Sequence, residues 1–380
     1  MPLFWLLATG FWIPFFLKGG LMDIFDYMNS GDYEQLLFSV DKSTGLKTII
    51  CIHDTTLGPA LGGVRMWSYA REEDAIVDVL RLGRAMTYKS SAAGLDLGGG
   101  KAVLIGNPLK DKSEALFKSL GKAVDSLGGR YIATDDVGTA MKDLEQIRTT
   151  TQFVLGLPLH LGGSGDSTMP TAHGVVRGMQ ACAKEVFGKT DLKGKVVAVQ
   201  GVGKVGSNVV RLLHEAGAKI IVTDINKAYV QAIVKETGAA AVDPDAILTT
   251  KCDIFSPCAL GAILNSKNIA RLRCQIVCGA ANNQLEAENN GEEIQKRDIL
   301  YCPDYIANAG GVINLALELT GYDADVSYEK IEHIFDTATA VIARSKKQKI
   351  PTSRAADLIA EERVAASRKL KPWFSGHSEH

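Results

Sequence analysis

Apolar residues along the chain fall into two rhythms that alternate from about residue 22 onward. Short β-branched runs give way to stretches whose apolar positions return every three or four residues, the rhythm of an α/β protein. Leu46–His53 (LKTIICIH) and Lys101–Ile105 (KAVLI) read as strands. Between them, Glu72–Met86 carries its apolar residues at helical spacing, and Ser113–Leu127 continues as a helix opened by a Ser-Glu start. Lys195–Gln200 (KVVAVQ) and Lys219–Asp224 (KIIVTD) are further strands, separated by a helix over Val205–Ala216. Later strands are expected at Ile254–Phe255, Gln275–Cys278 and Ile299–Cys302, so a doubly wound parallel sheet is predicted across about 190–310. Tyr328–Lys369 is almost wholly helical in pattern, and Gly162–Ser167 (GGSGDS) reads as a loop or hinge.

The first residues break this pattern. Leu3–Leu17 (LFWLLATGFWIPFFL) is apolar and uncharged, yet short for a membrane span and interrupted by Pro14. It also lacks the basic start and the clear cleavage site of a signal peptide. We read 1–21 as an extension ahead of a natural start at Met22, with a membrane anchor as the alternative. No membrane partner is expected on the first reading.

Composition narrows the function. With 380 residues, two domains with substantial cores are affordable. Apolar content of 46% and charged content of 22% are ordinary for a globular protein, and a formal net charge of -1 gives no electrostatic case for nucleic acid. Seven scattered cysteines without a Cys-x-x-Cys suit a reducing cytoplasm, and no His or Cys pairs sit at zinc-ligand spacing, so no metal is expected. The partner expected is a small molecule.

One candidate binding element is Gly201-Val202-Gly203-Lys204-Val205-Gly206, a G-x-G-x-x-G run between a strand and a helix, followed by Ser207. Asp224 closes the next strand 18 residues after Gly206. Gly201 permits the tight turn, Gly203 lets backbone approach a pyrophosphate, and Gly206 allows close helix–strand packing. The helix N-terminus offers free N–H groups to phosphate. Asp224 can accept from ribose hydroxyls and repel a 2′-phosphate, which favours NAD over NADP, although nearby Lys227 weighs the other way. The competing reading is a structural turn in a cofactor-free sheet.

A second cluster lies upstream: Gly58–Arg65 (GPALGGVR), Met86–Lys89 (MTYK) and Gly98–Lys101 (GGGK). Ala102 follows the lysine where a Walker A loop needs Ser or Thr, so a phosphate-cradling nucleotidase is disfavoured. Lys89 and Lys101 have small or apolar neighbours, which suggests partial burial. A desolvated lysine near another cation has a lowered pKa and can act as a base.

Seven stretches in order carry a resemblance. They are HDTTLGPALGGVRMW, MTYKSSAAGLDLGGGKAVL, TDDVGT, VQGVGKVG, SPCALGAILN, GAANNQL and YIANAGGVIN. Together they resemble the Glu/Leu/Phe/Val amino-acid dehydrogenase family, its leucine-acting members most of all, from Met22 to about 370. The fold implied is α/β: an N-terminal α/β substrate domain over 22–160 and a Rossmann-type NAD domain over 161–340. A helical segment over 341–380 would return to the first domain. The resemblance implies a homo-oligomer, possible as an octamer, with substrate between the domains.

The resemblance also implies roles. Lys89 binds the substrate α-carboxylate, with help from backbone N–H groups at Gly62 and Gly63. Lys101 is the catalytic base and Asp136 its carboxylate partner. Adjacent Asp135 competes for that role, but the two side chains cannot point the same way on an extended segment. The field of Lys89 is expected to help depress the pKa of Lys101. Asn282 and Asn283 help position substrate and nicotinamide, although an asparagine pair also suits a turn at a strand end. Thr171 lies near the nicotinamide end of the cofactor.

Leu61, Thr134, Val312 and Leu315 would line the side-chain pocket. They suit an aliphatic chain and disfavour glutamate, since none is cationic. Thr134 replaces an expected small apolar residue, and Leu315 is larger than the usual valine. The activity implied is reversible oxidative deamination of a branched-chain L-amino acid, leucine first. The alternatives are a phenylalanine, valine or tryptophan dehydrogenase, or a non-catalytic NAD-binding protein.

Overall fold

A computed structural model describes residues 23–369. The apolar stretch Leu3–Leu17 lies outside them, as does the end of the expected C-terminal segment. The chain divides into two compact units. One comprises 23–166 with Leu315–Asp323 and 360–369; the other comprises Ser167–Asn314 with Ala324–Ile359.

The first unit is built on a mixed sheet of β1 (Gln35–Asp41), β2 (Leu46–Asp54), β3 (Ala60–Trp67), β4 (Gly98–Ile105) and β5 (Tyr131–Asp135), in the order β1-β2-β4-β3-β5. β2 runs antiparallel to β1 and β4, while β3 lies parallel to β4 and β5. Strand residues alternate between two faces, and both are covered. Ile50, Ile52, Ala102 and Leu104 pack against Leu116, Phe117 and Leu120 of the helix Glu114–Asp125. Ile49, Cys51 and Val103 pack against Ala75, Ile76 and Val79 of the helix Glu72–Ala92. This double cover explains why β2 and β4 read as continuous apolar runs. It also assigns Lys101, two residues from Val103, to the face under Glu72–Ala92.

Six strands build the second unit: β6 (Val196–Gln200), β7 (Lys219–Thr223), β8 (Ala240–Ala241), β9 (Ile254–Pro257), β10 (Ile276–Val277) and β11 (Leu300–Tyr301). All pair in parallel in the order β11-β10-β9-β6-β7-β8. The first strand in sequence is central and the chain winds outward from it in both directions, so the switch point lies where β6 meets β9.

The helices Ala324–Glu332 and Ile334–Gln348 belong to the second unit. The last helix, Thr352–Arg368, begins there, where the Thr352 hydroxyl donates to Tyr301 O at 2.6 Å. Its final turns belong to the first unit: Ser91 Oγ donates to Ala360 O at 2.9 Å and Arg363 to Leu95 O at 2.6 Å. The segment that joins the first unit therefore starts at 360 rather than 341, since residues 341–359 group with the second unit. Among the described residues no helix is long and apolar enough to cross a membrane.

Candidate active site

Glycines set the approach of β3, β4 and β5. A Cβ at Gly62 would lie 1.8 Å from Gly100 O, and one at Gly99 would lie 2.0 Å from the Thr87 N. The GGGK glycines let a helix and two strands crowd against β4, with a Cβ at Gly98 only 2.0 Å from Asp54 O.

This packing buries Lys101, whose side chain is 6% exposed. Its Nζ lies 3.1 Å from Asp136 Oδ2. A Cβ at Gly63 would meet both groups, 2.8 Å from Asp136 Cβ and 3.0 Å from Lys101 Nζ. Asp136 sits just beyond β5 in a turn that fixes its direction. Its N–H donates to Thr139 Oγ1 at 3.0 Å, that hydroxyl donates to Val64 O at 2.7 Å, and Thr139 N donates to Asp136 O at 3.0 Å. Gly138 closes the turn at φ 84°, where a Cβ would lie 2.0 Å from Met66 O.

The electrostatics follow from burial. Desolvation lowers the Lys101 amine below its usual pKa; Asp136 opposes this and Arg65 adds to it. Burial alone would raise the Asp136 carboxyl, but Lys101 and Arg65 outweigh it and hold that group well below the carboxylate range. The pair is thus a firmly ionised carboxylate beside an amine that gives up its proton unusually easily. Arg65 Nε donates to the same Asp136 oxygen at 2.8 Å and adds a cationic field to the one expected of Lys89. An arginine inside an otherwise apolar strand was the signal for it.

The remaining expected residues distribute as follows. Lys89 is half-buried in the last turn of Glu72–Ala92. Leu61 is fully buried on β3, and the Tyr131 hydroxyl donates to Gly62 O at 2.7 Å. Thr134 and Leu315 converge: a Cβ at Gly156 would lie 3.0 Å from Thr134 Oγ1 and 3.4 Å from Leu315 Cδ2. That corner is held by Glu318, which accepts from Gly156 N at 3.1 Å and Ser164 N at 2.8 Å, a clamp 154 to 162 residues distant in sequence.

In the second unit, Val312 lies three residues before Leu315 on the helix Gly310–Ala316, and is buried. Thr171 turns its hydroxyl back onto Ser167 O at 2.8 Å. Asn283 adopts φ 52° and its carbonyl accepts from Ala262 N at 2.7 Å, the geometry of a turn. Asn282 Oδ1 accepts from Asn308 Nδ2 at 2.8 Å, an orienting partner that spacing did not reveal.

The fingerprint turn connects β6 to the helix Lys204–Glu215. Gly201 has φ 93°, and a Cβ at Gly206 would lie 2.0 Å from Gly201 O. A Cβ at Gly203, the residue capping the helix, meets nothing within 4 Å. Open space at the capping residue of a helix N-terminus is what a pyrophosphate needs, with Lys204 and Val205 opening the helix behind it. Ser207 Oγ donates to Gly203 O at 2.8 Å. Asp224 accepts from Val202 N and Asn226 N, both at 2.8 Å, so it braces the turn while keeping lone pairs for a diol. These residues fit a dinucleotide. No group of three or more potential metal ligands occurs among the described residues.

Comparison with known proteins places this geometry in context. Residues 34–153 match the model of the Glu/Leu/Phe/Val dehydrogenase dimerisation domain, and 162–232 with 222–371 match that of Glutamate/Leucine/Phenylalanine/Valine dehydrogenase. The chain is 54% identical over 353 residues to the leucine dehydrogenase of Thermoactinomyces intermedius, covering 93% of this chain and 96% of that one. It is 45% identical over 352 residues to the valine dehydrogenase of Streptomyces virginiae, covering 92% and 98%. Among solved structures it resembles L-tryptophan dehydrogenase from Nostoc punctiforme, with TM-score 0.81, 40% identity and coverage of 91% and 99%. Matched along nearly its whole described length, the chain belongs to the glutamate/leucine/phenylalanine/valine dehydrogenase family of amino-acid dehydrogenases.

Proposed function

We propose that this protein catalyses the NAD-dependent, reversible oxidative deamination of a branched-chain L-amino acid, leucine first, to its 2-oxo acid and ammonia. The observation carrying this reading is the buried Lys101–Asp136 pair, with the amine lowered and the carboxylate ionised. When bound, an oxidised nicotinamide would supply the hydride acceptor for the substrate Cα. The chain's own residues do the rest. Lys89, charged, anchors the α-carboxylate with the Gly62–Gly63 backbone. Lys101, neutral, takes a proton from the water that attacks the imino carbon. Asp136 moves protons to and from the amino nitrogen, 3.1 Å from the base it serves.

The dinucleotide is held by the Gly201–Gly206 turn, with Ser207, Thr171 and Asn282 in support. Asp224 favours NAD by accepting ribose hydroxyls where a 2′-phosphate would meet its charge. An apolar side-chain pocket would draw on Leu61, Thr134 and Leu315 of the first unit; Val312 and Asn283 are the candidates in the second. A methylene is worth about 1–3 kcal/mol in such a pocket, which suits discrimination among aliphatic chains. The matched dimerisation-domain model supports a homo-oligomer. The seven free cysteines suit a reducing cytoplasm.

Formation of NADH at 340 nm from a panel of L-amino acids tests the reading. Branched-chain substrates should give the highest kcat/KM, and Lys101→Ala should lose nearly all turnover. Preference for an aromatic substrate would overturn the leucine assignment.

A further inference from the structure

The ion pair at Lys101 does not stop at Asp136. Arg65, which bonds Asp136 through Nε, turns NH1 to Asp78 Oδ2 at 3.0 Å. Asp78 Oδ1 accepts from Arg81 NH2 at 2.6 Å, and Tyr69 donates its hydroxyl to Asp78 Oδ2 at 2.6 Å. Asp78 and Arg81 lie one turn apart on Glu72–Ala92 beside buried Ala75, Val79 and Leu82. Charges do not belong on such a face unless paired. The side chains of Arg65, Asp78 and Arg81 are 16%, 11% and 9% exposed.

The formal charges of this ion-pair network balance in one protonation state only. Two guanidinium cations offset two carboxylates, so the buried cluster is neutral when Lys101 is neutral and carries one excess positive charge when it is protonated. We propose that Arg65 and Asp78 are positioning residues that set the protonation of Lys101 from opposite directions, Arg65 favouring the free amine and Asp78 the ammonium. Asp78 also holds Arg65 in the rotamer that reaches Asp136. This rests on the reading of Lys101 as the base.

Three of the other groups around Lys101 are uncharged. Cys51 pairs with Lys101 across β2, and burial pushes its thiol up. Burial likewise raises the phenols of Tyr131 on β5 and Tyr69 after β3, so all three stay neutral. Asp135, which ends β5 in the field of Lys101, and Lys89, in the last turn of Glu72–Ala92, are ionisable groups outside this count, and both are unchanged in every variant below.

The test is the acid limb of kcat/KM against pH, which reports the free enzyme's base. Arg65→Gln should move it up by about one pH unit and Asp78→Asn down by about one, through the loss of one neighbouring charge of each sign. The double variant should return it close to the parent, and Arg65→Lys should leave it there. A purely structural role predicts lower amplitude with an unmoved limb, so unmoved or same-direction limbs in the single variants overturn the proposal. The pH midpoint of Lys101 acetylation by acetic anhydride, read by peptide mass spectrometry without substrate, provides a second readout. If the parent turns over no amino acid, the functional reading fails; opposed midpoint shifts then still support this inference, and unshifted ones overturn it.

Discussion

Asp136→Asn keeps the shape of the side chain and removes its charge. In the parent, one carboxylate oxygen serves two buried nitrogen groups, Lys101 Nζ at 3.1 Å and the Arg65 guanidinium Nε at 2.8 Å. Breaking a buried pair by removing one partner costs about 3–5 kcal/mol. That corresponds to a fall in Tm of roughly 6–20 °C for a unit of about 150–250 residues. The cost should depend on pH. Without its counter-ion, Lys101 has a folded pKa still further below its unfolded value, so the unfolded state binds more protons between the two. Stability of the variant relative to the parent should therefore recover as pH rises through the lowered folded pKa of the amine, below the ordinary lysine range, as the amine loses its proton in the fold. Asp136 itself contributes the opposite window: its folded pKa is depressed, so its stabilisation is present above the ordinary carboxylate range and fades in acid. Thermal unfolding at several pH values, with kcat measured alongside, checks both points. Turnover should fall by about 10²–10⁴. A variant within about 0.5 kcal/mol of the parent at every pH, with turnover intact, would refute the argument.

Three further outcomes follow from the geometry. Gly203→Ala, which meets open space, should keep the fold and raise the KM for NAD at least about tenfold by filling the pyrophosphate's path, whereas Gly206→Ala should lower Tm because its Cβ meets Gly201 O; steady-state kinetics and calorimetry separate the two. Glu318→Gln should destabilise the protein by about 2 kcal/mol, since it replaces charge-assisted bonds to Gly156 and Ser164, and should raise the KM for leucine by loosening the Thr134–Leu315 corner; denaturant unfolding and kinetics read each effect. Asp224→Ser should improve the NADP-to-NAD ratio of kcat/KM at least about tenfold by removing the charge that repels a 2′-phosphate, as a two-cofactor assay would show.

The sequence disclosed the fold best where a strand is apolar throughout. β2, β6 and β7 announce themselves because both faces are covered, and the winding of the second sheet follows from their spacing. β3 did not, because Gly62 and Gly63 are weak strand formers whose need arises only from the close approach of Gly100 O and Asp136. β1, with half-buried residues alternating with exposed Phe38 and Val40, has too faint a pattern for a strand. Lys101 and Asp136 came from motif resemblance, since their 35-residue separation carries no local signal. Asp78 was within reach: helical periodicity puts it among Ala75, Val79 and Leu82, where a carboxylate needs a partner. Its partner Arg65, and the Glu318 clamp on Gly156, depend on register between distant segments.

The central claim is that a neutral Lys101 amine removes the proton from attacking water. Lys101→Ala assayed with L-leucine and NAD, with and without small primary amines, tests it directly. Turnover should be almost absent in the variant and recover with added amine, more strongly as the free-base concentration rises with pH. Full turnover without amine, or none at any amine concentration in a variant that still binds NAD and leucine, would contradict the account.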